Sequence, residues 1–390
     1  MMLITDTATL AAACEELHGA DFVAIDTEFH RESTYWPELC LAQVAGRGEP
    51  WAVDALAPGI DLAPLLAVLN DPSVPKVFHA GRQDVEIFLR LSGRVPEPQF
   101  DTQVAAMVCG FGESVSYETL VTRLAGAKLD KGSRFTDWRR RPLTDRQLQY
   151  ALADVIHLRT VYVNLNDELA KSGRTAWVAE EMAALTDPAT YITEPQDAWK
   201  RLRLRSSDPR FLQIVRELAA WRETQAQARD LARGRLLKDE ALLAIAAHPP
   251  QTRDDLANVR GVSRGLADGV AGNGILEAVA RARAVPAEAL PKSAKPKKPV
   301  SSLQPMVALL RVLLKAKCEE HGVAQQLVAG GEDLEAIAAG ETRGVHALTG
   351  WRHDVFGADA MRLARGEVAL AARNGGVVLV PLSDSANAAA

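Results

Sequence analysis

Two acidic residues break an apolar run in Phe22-Val23-Ala24-Ile25-Asp26-Thr27-Glu28-Phe29. Side chains two apart on a strand point to the same face, so Asp26 and Glu28 converge on one spot. Buried together, two carboxylates repel and take up protons unless a cation neutralises them. Magnesium or manganese, which prefer hard oxygen ligands, would do so; a strand end running into solvent carries the same residues. A second segment, Val77-Phe78-His79-Ala80-Gly81-Arg82-Gln83-Asp84, reads as strand, tight turn and helix start. Asp84 then lies beside the strand's C-terminal end, where ligands of open α/β sheets bind, although the helix dipole alone favours aspartate there. In a third, Thr144 and Gln147 form a capping-box pattern that opens a helix. Tyr150 and Asp154 follow, one turn apart on one face, as an ordinary surface pair also would be.

The elements that must position these residues are those of an α/β domain. Apolar runs at 22–25, 39–44, 50–53 and 74–78 predict strands, the first buried on both faces. Asp61 to Leu69 and Gln83 to Leu91 carry apolar residues at helical spacing. Leu148, Leu152 and Val155 anchor the third segment's helix to the sheet.

Taken in order, DxE on a strand, HAGxxD at a turn and YxxxD on a helix resemble the three exonuclease motifs of the DEDD superfamily, in its tyrosine branch. The flanking text, AIDTEF, TYWPELCLAQ, VFHAGRQDVEIF, DTQVAA and YALADVIHL, resembles the ribonuclease D family over roughly residues 20–165. The resemblance implies a ribonuclease-H-like α/β exonuclease domain in which Asp26, Glu28, Asp84 and Asp154 hold two divalent cations, Mg2+ or Mn2+, with Asp26 bridging. It implies 3′→5′ hydrolysis of RNA 3′ ends to nucleoside 5′-monophosphates, tRNA precursors being family-typical substrates. In such a site the ions activate a water and neutralise charge on the departing 3′ oxygen. Tyr150, a phenol and so a poor base at neutral pH, is implied to orient the attacking water. A DNA exonuclease uses the same carboxylates, and only contacts to the 2′-OH separate the two. Against a catalytically silent RNA-binding scaffold stands the intact set of four carboxylates and Tyr150.

Between the second and third motifs, Lys128, Lys131, Arg134, Arg139, Arg140, Arg141 and Arg146 are interleaved with Phe135 and Trp138. Cations and aromatics together suit a single strand, whose phosphates and bases they engage; a solvated basic loop has the same composition. Residues 208–285 resemble an HRDC domain, through LAAWRETQAQARDLARGRLLKDEALLAIA and the LANVRGVS turn, which implies nucleic-acid binding. Lys200, Arg201, Arg203 and Arg205 precede it. Residues 303–380 resemble a second, divergent copy; a bundle that merely packs on the rest is the alternative. The organisation expected is an exonuclease domain over 1–200, an HRDC domain over 208–285, a Pro/Lys linker over 286–302 and a second all-α HRDC-like bundle over 303–380.

The whole chain, 390 residues at net charge −5, is long enough for two or three domains and carries no global basic signature. Attraction to phosphates must come from local clusters. Four cysteines, far apart and without a CxxC pair, exclude a structural zinc site and a disulfide framework. No GxxxxGK[ST] occurs, so no ATP-driven helicase is expected. The absence of a signal peptide and of an apolar run of about 18 residues predicts a cytoplasmic protein with no membrane span.

Overall fold

The computed structural model describes residues 2–129, 132, 136–204, 206–291 and 303–382. Six strands form one mixed sheet in the order β1-β4-β3-β2-β5-β6. They are β1 (Met2–Ile4), β2 (Val23–His30), β3 (Glu38–Ala45), β4 (Trp51–Asp54), β5 (Lys76–Phe78) and β6 (Gln99–Asp101). β2 is antiparallel to β3 and parallel to β5, and β1 at the far edge runs parallel to β4. The four strands expected from apolar runs are all present; β1 and β6, three residues each, are too short to show a period.

Alternation along β2 assigns its side chains. Val23 and Ile25 join a core with Val44, Val53 and Trp51, covered by α1 (Thr7–Glu15), α2 (Ala63–Leu69) and α3 (Arg82–Ser92). Ala24 faces the other way, packing with Ala45 and Val77 under Val155 and Leu158. Those two belong to the long helix α6 (Asp145–Ser172), which follows α4 (Thr102–Val108) and α5 (Tyr117–Leu120). The capping box at Thr144 and Gln147 is formed, and Leu152 and Val155 are buried as its sheet-facing stripe requires.

After α7 (Thr175–Leu185), the HRDC-like segment is helical throughout: α8 (Pro209–Arg229), α9 (Arg233–Leu236), α10 (Asp239–Ala247), α11 (Arg253–Ala257), α12 (Arg264–Asp268) and α13 (Val270–Ala284). Ile214, Val215 and Leu218 of α8 build its core with Ile245, Ile275 and Val279. A buried joint ties it to the exonuclease domain. The Tyr35 hydroxyl donates to Glu223 and accepts from Arg233 at 2.9 Å, and Asp230 accepts from the backbone N–H of Tyr35 and Trp36.

The last module has α14 (Gln304–His321), α15 (Gln325–Val328), α16 (Gly331–Ala338), α17 (Gly350–Arg352) and α18 (Ala358–Ala364). Its long helix, four-residue helix and medium helix repeat the order of α8, α9 and α10. It is not all-α: β7 (Val368–Arg373) and β8 (Gly376–Pro381) close it as an antiparallel hairpin. Asn374 and Gly375 both adopt positive φ, 52° and 78°, the backbone a two-residue hairpin turn needs. Nor does it stand apart. Leu310, Leu314 and Phe356 share one core with Ala105, Val161, Leu165 and Val178 of the exonuclease domain. Trp177 stacks on Trp351 with ring centroids 4.5 Å apart, and the fully buried Arg352 pairs with Glu180 and Glu181. The linker expected over 286–302 falls mostly on residues 292–302, outside those described, as do Arg205 and the tail from 383.

Candidate active site

Asp26 and Glu28 leave β2 on the α6 side of the sheet, and Asp154 descends from α6 to meet them. Each of the three offers a carboxylate oxygen within 4.8 Å of the others. Among the described residues none of them is ion-paired to a lysine or arginine. Burial holds Asp26 well above the ordinary aspartate range, and the charges of Asp154, Asp84 and Glu28 add to it. Glu28 is pushed up to about 9 by burial and then by Asp154 and Asp84, and Asp154 to about 7 by burial. These are the energetics of carboxylates gathered without their counter-charge.

Asp84 is beside this trio rather than in it. It sits in the first turn of α3, 8 % exposed, and accepts a hydrogen bond from the Thr27 hydroxyl. Burial raises it to about 6 against that hydrogen bond, and its charge is felt at both Asp26 and Glu28. Thr27 comes between the two acids on β2, so its side chain faces the α3 side while theirs face α6.

The turn that delivers Asp84 is fixed from below. Asp101 accepts from the backbone N–H of Ala80 and Gly81 at 3.0 and 2.9 Å, and the Thr102 hydroxyl donates to the Phe78 carbonyl at 3.0 Å. Ala80 takes φ 52°, and a Cβ on Gly81 would stand 2.5 Å from the Phe78 Cβ, so glycine alone fits there. These residues are the DTQ of the family-like text; what that text could not show is that they brace the HAG turn.

Tyr150 is half-buried on the Asp154 face of α6, and with Leu129, Arg146 and Gln149 the pair lines a pocket of about 100 Å³. Tyr117, unremarked in the sequence, donates its hydroxyl to the Asp154 backbone carbonyl and packs on His79 at a ring-centroid distance of 5.0 Å. Burial, then the charges of Asp154 and Asp26, raise its phenol.

Within the basic stretch before α6, Trp138, Arg139 and Arg141 are engaged by the protein itself. Trp138 is 5 % exposed and packs with Leu41 and Leu152, so its ring is unavailable for stacking on a base. Arg141 is committed to Asp54 through two hydrogen bonds of 2.5 and 2.6 Å and to the Cys40 carbonyl at 2.9 Å. Arg139 pairs with Asp137. Lys131, Arg134 and Phe135 lie outside the described residues. A buried ring and a bidentate ion pair are read from tertiary contacts, which composition does not carry.

The chain matches two family models, "3'-5' exonuclease" over residues 1–170 and "HRDC domain" over 211–279. It is 54% identical to ribonuclease D of Gluconacetobacter diazotrophicus, covering 95% of this chain and 94% of that one. It is 53% identical to ribonuclease D of Granulibacter bethesdensis, over 94% and 93% of the two chains. The crystal structure of Escherichia coli RNase D, an exoribonuclease involved in structured RNA processing, superposes with a TM-score of 0.80 at 30% identity, covering 94% of this chain and 98% of that one. Divalent-metal dependence goes with this exonuclease fold, and no described helix is long and apolar enough to cross a membrane. With matches of this identity along nearly its whole length, the chain belongs to the ribonuclease D family of 3′→5′ exoribonucleases.

Proposed function

We propose that Asp26, Glu28, Asp84 and Asp154 hold two divalent cations, magnesium or manganese, and that the site removes nucleoside 5′-monophosphates from RNA 3′ ends, tRNA precursors among them. The observation that carries this is the convergence of Asp26, Glu28 and Asp154, from a strand and a distant helix, to within 4.8 Å. Oxygen-only donors suit hard cations, and a cluster raised by burial and by mutual repulsion is relieved by positive charge. Asp84 faces the cluster from the α3 side, where it would complete the second cation's ligands. The structured-RNA role of the E. coli relative supports tRNA precursors as substrates.

The cations supply, when bound, an acidified water and charge stabilisation for the attacking and leaving oxygens of an in-line displacement. The chain's own residues do the positioning. Asp26 feels the charges of Asp154, Asp84 and Glu28 together and would be the ligand the two cations share. Thr27 fixes the rotamer of Asp84 through its hydroxyl. Tyr117 holds the α6 backbone at Asp154. Tyr150, in the pocket beside Asp154, hydrogen-bonds the attacking water rather than deprotonating it, since a phenol titrates near 10.

The test is a pair of matched oligonucleotides, RNA and DNA, labelled at the 5′ or the 3′ end and incubated with and without magnesium. Stepwise shortening of 5′-labelled RNA only with magnesium, with 3′-labelled mononucleotide released first, is the expected result. Faster shortening of the DNA would transfer the reading to a DNA exonuclease.

A further inference from the structure

Gln43, in the middle of β3, is fully buried, yet neither its Nε2 nor its Oε1 has a hydrogen-bond partner among the described residues. Among those residues it is the one side chain orphaned at both ends. An orphaned buried amide costs stability, and an apolar residue of equal size removes the cost. The surroundings are suited to such a residue: the same face carries Leu41 and Ala45, and Ala151, Leu152 and Val155 of α6 pack over it. The amide must therefore be explained by something other than packing.

The register of the sheet supplies the explanation. Gln43 stands directly opposite Asp26 in the antiparallel pairing of β3 with β2. Residues in that relation share a face, with Cβ atoms about 4.5–5.5 Å apart. The register thus sets Gln43 across from Asp26, whose carboxylate belongs to the acidic trio, without a hydrogen bond joining the two side chains. Carboxylates that ligate metals are held in orientation by a further hydrogen bond from the protein. We infer that Gln43 is a positioning residue of the cation site: on cation binding its unpartnered amide N–H would turn to donate to Asp26 and hold that carboxylate toward the cations. The inference rests on the cation-site reading given above. Gln43 touches neither RNA nor cation; it acts through Asp26.

The test uses the full chain. Mg2+ binding by calorimetry, thermal melting and RNA kinetics are compared for the wild type, Gln43→Met and Asp26→Asn. Gln43→Met is expected to melt at or above the wild-type temperature while binding Mg2+ about tenfold more weakly. Its kcat should fall with the RNA KM unchanged. Mg2+ affinity and kcat matching the wild type overturn the inference, as does an affinity loss that only mirrors a fall in melting temperature. Should Gln43→Met not fold, Gln43→Asn, whose amide is withdrawn from Asp26 by one methylene, makes the same comparison. Asp26→Asn separates the two readings: if it retains Mg2+ binding, the cation site itself is wrong whatever Gln43 does.

Discussion

At the scale of single residues the site is a problem of charge. On the proposed cation site, Asp26→Ala and Asp154→Ala would each remove a ligand and should lower kcat on the order of 10³-fold or more. RNA binding, measured by filter retention, should stay largely intact, and activity near wild type in either variant contradicts the assignment. If Tyr150 orients the attacking water, Tyr150→Phe should slow turnover about tenfold, with Mg2+ affinity unchanged; a wild-type kcat removes the role. Thr27→Val deletes the hydroxyl that holds Asp84, and Thr27→Ser should restore what it costs in kcat. Asp26, Glu28, Asp84, Tyr150 and Asp154 are all legible in the sequence, because strand and helix periods place them and their order matches known motifs. Thr27, Gln43, Asp101 and Tyr117 are not. Their partners are fixed by cross-strand register and by packing between distant segments, which no local period encodes.

At the scale of elements, what matters is how β2, α3 and α6 are brought to one point. The approach to α6 is pinned by Arg141, 25% exposed, on Asp54, 7% exposed. Breaking a largely buried pair by removing one partner strands a charge, so Arg141→Ala should cost about 3 kcal/mol of stability, read from urea unfolding. A loss below about 1 kcal/mol, the worth of a surface pair, would show the contact to be incidental. The sheet's central strands and the long helices were readable from apolar runs and from capping residues. The hairpin of β7 and β8 is the exception to the helical expectation for this module, although Asn374-Gly375 between apolar stretches is a strong turn signal. The helical, alanine-rich context from Ala358 onward masked it.

At the scale of the whole molecule, the third module is part of the exonuclease domain's core rather than an appendage. Deleting residues 303–382 would expose the apolar faces of α4, α6 and α7 that Leu310, Leu314 and Phe356 cover. The truncated chain should melt well below the full one or aggregate; an unchanged melting temperature would contradict the shared core. A second global property is the coupling of cation, proton and stability. Carboxylates held above their unfolded values bind more protons when folded. The metal-free protein therefore loses stability as pH rises through the folded values, about 6 at Asp84, about 7 at Asp154 and about 9 at Glu28. Cations displace those protons, so the gain in melting temperature on adding Mg2+ should be small near pH 5.5 and larger near pH 8.5. A gain independent of pH would contradict ligation by these groups.

The most direct measurement is anomalous scattering from crystals soaked in Mn2+. Two peaks about 3.5–4 Å apart, one among Asp26, Glu28 and Asp154 and one shared by Asp26 with Asp84, are expected. Manganese bound elsewhere, or no peak at these four carboxylates while the soaked protein degrades RNA, contradicts the central claim.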